Sequence, residues 1–320
     1  MLPPHALIAI ALATTPSLPT NAAAVRDGFQ RLQAAMDRDD RAEVERLAPT
    51  CLEAARASGD LSLLPEALLM RGEACMSLDQ DDRAKGYLLN AMGLAQELDD
   101  RRVFANTLND LGILIEHEGA RFMAESYYRQ AFAIARTLDD PALLDAVTYD
   151  LATSEAERGD YATSRTRLQD LVNRAMQRHD RLAATKAMVK LADVDHAMSQ
   201  PSEAQETATT ALAMAKEVSH LPSRQAAEQL LATLALERGD AGTAETRFKE
   251  ALATAEASHD GWQLATAHLD LGSFYASRGA ADLARGHLMA AERGFRQLGS
   301  SSLLEKSRTL LEQIDHGHSL

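Results

Sequence analysis

From Leu61 onward, the apolar and small positions of the chain recur every forty residues without a gap. Ala84, Ala124, Ser164, Ala204, Ala244 and Ala284 form a small column. Four residues on stand Leu88, Tyr128, Leu168, Ala208, Phe248 and Leu288, and three beyond those Ala91, Ala131, Leu171, Ala211, Ala251 and Ala291. Spacings of three and four trace one buried stripe of a helix. Twelve residues upstream of the first small column, a second pattern pairs a bulky residue with a small one. It runs Leu111-Gly112, Leu151-Ala152, Leu191-Ala192, Leu231-Ala232 and Leu271-Gly272, with Arg71-Gly72 breaking the bulky half. Each unit therefore predicts two helices of roughly fourteen residues joined by short turns, the small residue of the first helix letting the second approach closely.

The polar punctuation supports the same division. The residues before each second helix are Asp79-Gln80, Gly119-Ala120, Gly159-Asp160, Ser199-Gln200, Gly239-Asp240 and Gly279-Ala280. Glycine there stops a helix in the left-handed conformation, and a following Asp caps the next one. The turn between units carries Asp100, Asp140, Asp180 and Asp260, and Asp140-Pro141 sets an N-cap before an N1 proline. The tripeptide Arg-Gly-Asp occurs twice, at 158–160 and 238–240. Its recurrence after two units makes it punctuation rather than an adhesion ligand, with the arginine opposing the helix dipole from the last turn.

Composition agrees. Ala, Leu, Glu, Gln, Arg and Met dominate, and aromatics are only 4% of the 320 residues, so the core must be built by close helix approach. The balance of 33 basic to 47 acidic residues, a net charge of −14, disfavours a nucleic-acid partner. Cys51 and Cys75 lie in apolar helical patterns without metal-ligand spacing, and buried reduced thiols are expected.

The small-large-small pattern at these offsets resembles the tetratricopeptide repeat (TPR). The likeness covers 61–300 as six repeats and 21–60 loosely as a degenerate first one. The usual period is shorter, so the chain is similar to the forty-residue variant of kinesin light chains and of bacterial regulatory TPR arrays. The resemblance implies an all-α fold: a right-handed α-α superhelix, or TPR solenoid, of about seven helix-turn-helix repeats plus a C-terminal capping helix within 301–320. In the first repeat the stripe Val25, Phe29, Leu32, Met36 runs about one residue out of phase, and Pro49 predicts a kink or early break in its second helix. The apolar stretch within 1–20 reads either as a capping helix or as a signal peptide. Placement is accordingly cytoplasmic, or exported and periplasmic if residues 1–24 are a signal; no other segment is long enough to span a membrane. The Ala- and Arg-rich composition suggests a GC-rich bacterial source.

Candidate chemistry is sparse. The run Asp193–His196 reads as a solvated helix face, the three residues 116–118 point in different directions on a helix, and His316 and His318 lie in a frayed tail. No phosphate-binding loop, nucleophile elbow or zinc motif is present, so neither a catalytic residue nor a metal or cofactor is expected. The resemblance places function in a groove lined by first helices. Carried over to this sequence, its inward positions include Glu73, Asn106, Asn109, Glu116, Tyr149, Thr153, Lys186, Asp193, His196, Gln229 and Glu237. Six carried-over positions (Glu66, Glu73, Glu116, Glu157, Asp193, Glu237) are acidic and one, Lys186, is basic. That disfavours a clamp for a C-terminal carboxylate and favours a neutral or basic peptide or helical segment. The expected function is a non-catalytic interaction scaffold or adaptor. The alternative is a peptide- or ligand-responsive sensor controlling a partner; an enzyme is the third and least supported reading. The sequence leaves the oligomeric state open.

Overall fold

A computed structural model describes residues 21–38 and 40–316. The segment 1–20, read as a cap or a signal, and the last four positions of the tail lie outside the described residues. The chain divides into two compact units, 1–158 and 159–320, each of which is a stack of helix pairs.

The first unit holds α1 (Ala22–Asp37), α2 (Arg41–Ser58), α3 (Leu64–Ser77, after a 3₁₀ turn at Leu61–Leu63), α4 (Asp81–Glu97), α5 (Arg101–His117), α6 (Arg121–Ala135) and α7 (Pro141–Glu157). The second holds α8 (Tyr161–Gln177), α9 (Arg181–Ala197), α10 (Pro201–Glu217), α11 (Leu221–Glu237), α12 (Ala241–Ser258), α13 (Gly261–Ser277), α14 (Ala281–Gln297) and α15 (Ser301–Asp315). No strand occurs among the described residues. Within each unit consecutive helices pack together, and each first helix also touches the first helix of the next pair: α1 with α3, α3 with α5, α5 with α7, then α9 with α11, α11 with α13, α13 with α15. The architecture is an all-α solenoid of the TPR type.

Most helices run seventeen residues rather than about fourteen, and the turns shrink to match. Left-handed backbone marks these turns every twenty residues, at Gly59, Asp79, Asp99, Gly119, Gly159, His179, Ser199, Ser219, Gly239, His259, Gly279 and Gly299. Six of the twelve are not glycine, so the turn geometry is imposed at both ends of each pair and polar residues tolerate it where glycine is lacking. At Gly239, φ is 79°, and the closing bond runs from the Asp240 N–H to the Ala235 carbonyl at 2.9 Å. Asp240 then accepts the Thr243 N–H at 3.0 Å, starting α12. Asp160 does the same for Thr163, and Asp100, Asp140, Asp180 and Asp260 cap their helices as expected. The exception is α6, which stops at Ala135. Its end tightens into i→i−3 bonds from Thr137 to Ile134 and from Leu138 to Ala135 while the Thr137 hydroxyl donates to the Ile134 carbonyl.

The arginines of the two Arg-Gly-Asp copies do more than oppose a dipole. They sit at the C-cap and reach back to the second helix of the preceding pair. Arg158 pairs with Glu125 of α6, and Arg238 donates to Gln205 of α10. The column Lys85, Glu125, Arg165, Gln205, Glu245, Arg285 makes such a staple to the next pair at every member. Lys85 meets Glu118 at 2.7 Å, Arg165 meets Asp195 at 2.6 Å, Glu245 accepts from the Tyr275 hydroxyl at 2.9 Å and Arg285 meets Asp315 at 2.8 Å.

Two further expectations need correction. Pro49 does not break its helix; α2 continues from Arg41 to Ser58. The proline ring leaves the Glu45 carbonyl without its helical donor, and Glu45 is exposed, so water can replace that bond. The 193–196 run is not wholly a solvated face either. Asp195 is buried and ion-paired with Arg165, and His196 bonds Glu237 across to α11. Both cysteines are buried and free.

The stripe columns are buried in every repeat. The small column of the first helix meets the large column of the second, as a Cβ on the glycines would show. It would lie 2.6 Å from a Leu88 methyl at Gly72, 2.6 Å from the Tyr128 ring at Gly112 and 2.8 Å from Leu288 at Gly272. Arg71, the one departure in the bulky half, lays its guanidinium over the Tyr87 ring at 5.5 Å. Gly86 and Gly286 occupy exposed helix positions with open space around them. The same substitution therefore has opposite signs at the two kinds of site. Gly112→Ala is expected to destabilise the protein by about 1–3 kcal/mol through overpacking against Tyr128. Gly286→Ala is expected to stabilise it by about 0.5–1 kcal/mol through helix propensity. Denaturant unfolding of both variants checks this; equal effects would mean that the helix pair does not close at Gly112.

Candidate functional site

The first helices carry the polar side chains at the carried-over positions. In the first unit these are Glu73 on α3, Asn106, Asn109 and Glu116 on α5, and Tyr149 and Thr153 on α7. In the second they are Lys186, Asp193 and His196 on α9, and Gln229 and Glu237 on α11. Each unit thus brings its own subset onto neighbouring first helices.

Several of these residues tie one repeat to the next with a common spacing of forty-one residues. Asn109 Nδ2 donates to Asp150 Oδ2 at 2.6 Å, Gln229 Nε2 donates to Asp270 Oδ2 at 2.7 Å, and His196 Nε2 lies 2.9 Å from Glu237 Oε1. The partners Asp150 and Asp270, together with Asp110, stand one residue beyond the carried-over positions and were not anticipated. Their column reads Met70, Asp110, Asp150, Lys190, Leu230, Asp270. Three mid-helix carboxylates in a column that also holds Met70, Lys190 and Leu230 are the signal that could have found them.

Burial has made several of these groups reluctant to ionise. Glu73 is half-buried, and desolvation, aided by the charges of Glu66 and Asp37 and opposed by Arg102, pushes its carboxyl up to about 7. Asp110 is raised well above the usual carboxylate range by desolvation, with Glu73 and Asp150 adding repulsion. In the second unit desolvation raises Asp270 to about 6, opposed by Lys306 and by the bond from Gln229. It raises Asp193 to about 6 as well, against Lys190 and His196. The Asp193 side chain is still reached by water, so its shift is weaker in consequence than those of the half-buried groups.

Arg102, the cation nearest Glu73, is already engaged, 2.7 Å from Asp140 and 3.8 Å from Glu66. Five side-chain oxygens on α5 and α7 are buried without a hydrogen-bond partner: Asn109 Oδ1, Asp110 Oδ2, Glu116 Oε1, Thr153 Oγ1 and Ser154 Oγ. The other Glu116 oxygen accepts from the Tyr128 hydroxyl at 3.0 Å, which with burial drives the Tyr128 phenol upward. Lys186 is exposed. Among the described residues no group of three or more His, Cys, Asp or Glu side chains is placed to hold a metal ion, and no helix is long and apolar enough to cross a membrane.

No protein-family model matches the chain, and no curated protein does. Solved structures do match. A Rap protein complexed with competence and sporulation factor superposes with a TM-score of 0.59 at 14% identity, over 92% of this chain and 98% of that one. A signal-transduction ATPase with a tetratricopeptide repeat sensor, from Pyrococcus horikoshii, gives 0.65 at 14% over 88% of this chain and 44% of its own length. The apo quorum sensor NprR of B. thuringiensis gives 0.54 at 13%, over 91% of this chain and 98% of that one. The likeness is one of fold, and it is the TPR fold.

The raised carboxyls fix how stability varies with pH. A group whose carboxyl is harder to ionise in the folded than in the unfolded chain holds its proton longer when folded. Folding stability therefore falls as pH rises from the unfolded value toward the folded one. For Glu73 that window runs from 4.5 to about 7. Stability is expected to decline between pH 5 and 7.5. Glu73→Gln is expected to flatten the decline and to stabilise the protein at pH 7.5 by on the order of 1 kcal/mol, less than the full shift because the side chain is partly exposed. Unfolding midpoints across pH test it, and a variant curve parallel to the wild type would remove Glu73 from the account.

Proposed function

We propose that this chain is a non-catalytic interaction module that binds a peptide or helical segment of a protein partner along its first-helix faces. The observation that carries this is the set of buried, unpartnered acceptors on α5 and α7. A solenoid that only had to fold would place apolar side chains there, as Met70 and Leu230 do in the Asp110 column. Acceptors in excess of donors fit an occupant that supplies donors, and the acidic surroundings fit one that is neutral or basic. The groove set Glu73, Asn106, Asn109, Glu116, Tyr149 and Thr153 forms the contact face in the first unit, and Lys186, Asp193, His196, Gln229 and Glu237 form that of the second. Nucleic acid is disfavoured by the charge of −14.

A sensor is the second reading, and the forty-one-residue bonds favour it. Asn109–Asp150 and Gln229–Asp270 lie on the face that would meet the occupant and also set how one repeat sits on the next. A ligand that bonds better in one arrangement of the pair than in another shifts the equilibrium between them. The Rap and NprR structures with this fold are described as a complex with a factor and as a quorum sensor, which suits a peptide-responsive role here.

Selection of a random dodecapeptide display library on the full chain tests both. Selected peptides are expected to lose at least about tenfold in affinity, roughly 1.4 kcal/mol, on Asn106→Ala with Tyr149→Ala, and to be indifferent to Lys216→Ala on the exposed face of α10. Peptides that respond to Lys216→Ala and not to the first-helix pair would place binding elsewhere. A change in scattering profile on saturation separates the sensor from the passive scaffold.

A further inference from the structure

We infer that the wall formed by α3, α5 and α7 is a subsite for one cationic side chain, a guanidinium or an ammonium, which it seats between Asn109, Asp110, Asp150 and Glu73. The inference rests on the proposed first-helix binding face and names what that face selects.

Asn109 is the central observation. It is only 6% exposed, and its amide nitrogen donates to Asp150 at 2.6 Å, so the amide head is held against that carboxylate. That bond fixes the amide orientation, since the reverse would set oxygen against oxygen. The amide oxygen, on the same carbon, is buried without a donor, and so is Oδ2 of the adjacent Asp110. One helical turn beyond Asp150, the Thr153 hydroxyl is buried and unpartnered as well. Two of these atoms are acceptors and the hydroxyl can accept as well as donate, so a group with several N–H donors and no acceptor would satisfy all three. Guanidinium and ammonium have that inventory.

Charge selects the same occupant. Asp110 is flanked by the fields of Glu73 and Asp150, and Glu73 by those of Glu66 and by Asp37 of α1. From α6, the Tyr128 hydroxyl faces Glu116 and donates to it, adding no cation. Among the described residues, Arg102, committed to Asp140 and Glu66, is the cation whose field reaches Glu73. Empty, such a wall relieves its repulsion by holding protons, which desolvation already favours at Glu73 and Asp110. A cation entering the wall stabilises the ionised carboxylates and expels those protons. Binding is thus coupled to proton release and strengthens as pH rises. Among the described residues no three ligating groups gather around one point for a metal ion; the inferred occupant is an organic cation carried by the partner segment.

The test uses the full chain and three blocked tripeptides, Gly-Arg-Gly, Gly-Lys-Gly and Gly-citrulline-Gly. The Asn109 side-chain amide resonances report occupancy, and calorimetry in buffers of different ionisation heat reports protons. At least one charged peptide is expected to bind at least about tenfold more tightly than the citrulline peptide. Binding should strengthen about tenfold between pH 6 and 8 with net proton release. The better of the arginine and lysine arms identifies the cation. Asp110→Asn should keep the fold by circular dichroism and erase the preference for charge, and Glu73→Gln should reduce the proton release. Equal binding of citrulline, absence of a saturable shift, or a charge preference surviving Asp110→Asn overturns the subsite. If display peptides depend on Asn106 and Tyr149 but carry no basic residue, the binding face stands and this subsite falls.

Discussion

The fold depends on how closely two helices of a pair can approach. With few aromatics and many alanines, the chain cannot fill a wide gap between helices, so it removes the gap. Gly72, Gly112 and Gly272 have no Cβ where Leu88, Tyr128 and Leu288 insert, and Ala152, Ala192 and Ala232 stand at the same step opposite Leu168, Ala208 and Phe248. Everything else follows from that contact. It fixes which face of the second helix is buried, and so which residues are left to make the next interface. Because interiors are packed to crystal-like density, the contact tolerates little deviation, and the register therefore persists through six repeats.

The pair then has to be joined to its neighbours, and here the chain uses polar groups. The column from Lys85 to Arg285 staples each second helix to the following pair with whatever complementary side chain is present: an ion pair at Lys85, Glu125, Arg165 and Arg285, an amide at Gln205, a tyrosine hydroxyl at Glu245. On the opposite side, the forty-one-residue bonds link first helices. Exposure varies within both sets, and consequence follows it: Glu125 and Asp195 are buried partners among the staples, while Lys85–Glu118, Arg285–Asp315 and His196–Glu237 are more exposed. Exposed ion pairs contribute little net stability and mainly fix geometry. The Asn109–Asp150 bond lies in a drier place, where leaving an acceptor unpaired is costly and an arriving donor has most to gain.

Legibility in the sequence followed the same division. The period, the buried columns, the capping aspartates and the left-handed glycines were all readable, because each depends on a residue type that no other position tolerates. The inter-unit turns were located by their capping aspartates, but the left-handed conformation of Asp99, His179, Ser219 and His259 was not readable, because it comes from closing a helix pair rather than from the residue that occupies it. Pro49 misled for a related reason: a proline in isolation predicts a break, but tertiary burial of Val44, Leu47, Ala48, Cys51 and Leu52 on both sides of it holds the helix through. Of the candidate face, Asn109, Gln229 and His196 were expected as contact positions, and what the structure shows of them is a bond from one repeat to the next. Asp110, Asp150 and Asp270 were missed, since a five-position rule taken from shorter repeats says nothing about the residue beside them.

The arginine of each Arg-Gly-Asp copy shows how a functional and a structural account of one motif can be told apart. Glycine is required by φ, aspartate by an N-terminal N–H, and arginine by Glu125 in one repeat and Gln205 in another. Each residue already has a partner supplied by the fold, so nothing in the motif remains to be explained by a ligand. Asn109 and Asp110 present the opposite case. Their backbone serves an ordinary helix, and their column accepts Met and Leu elsewhere, yet their oxygens are buried with no partner in the fold. A polar group that the fold both desolvates and leaves unsatisfied makes folding harder, and each such group calls for an explanation outside the fold's own hydrogen bonds. That asymmetry between satisfied and unsatisfied polar groups, rather than their number or charge alone, is what directs attention to the first-helix face of the first unit.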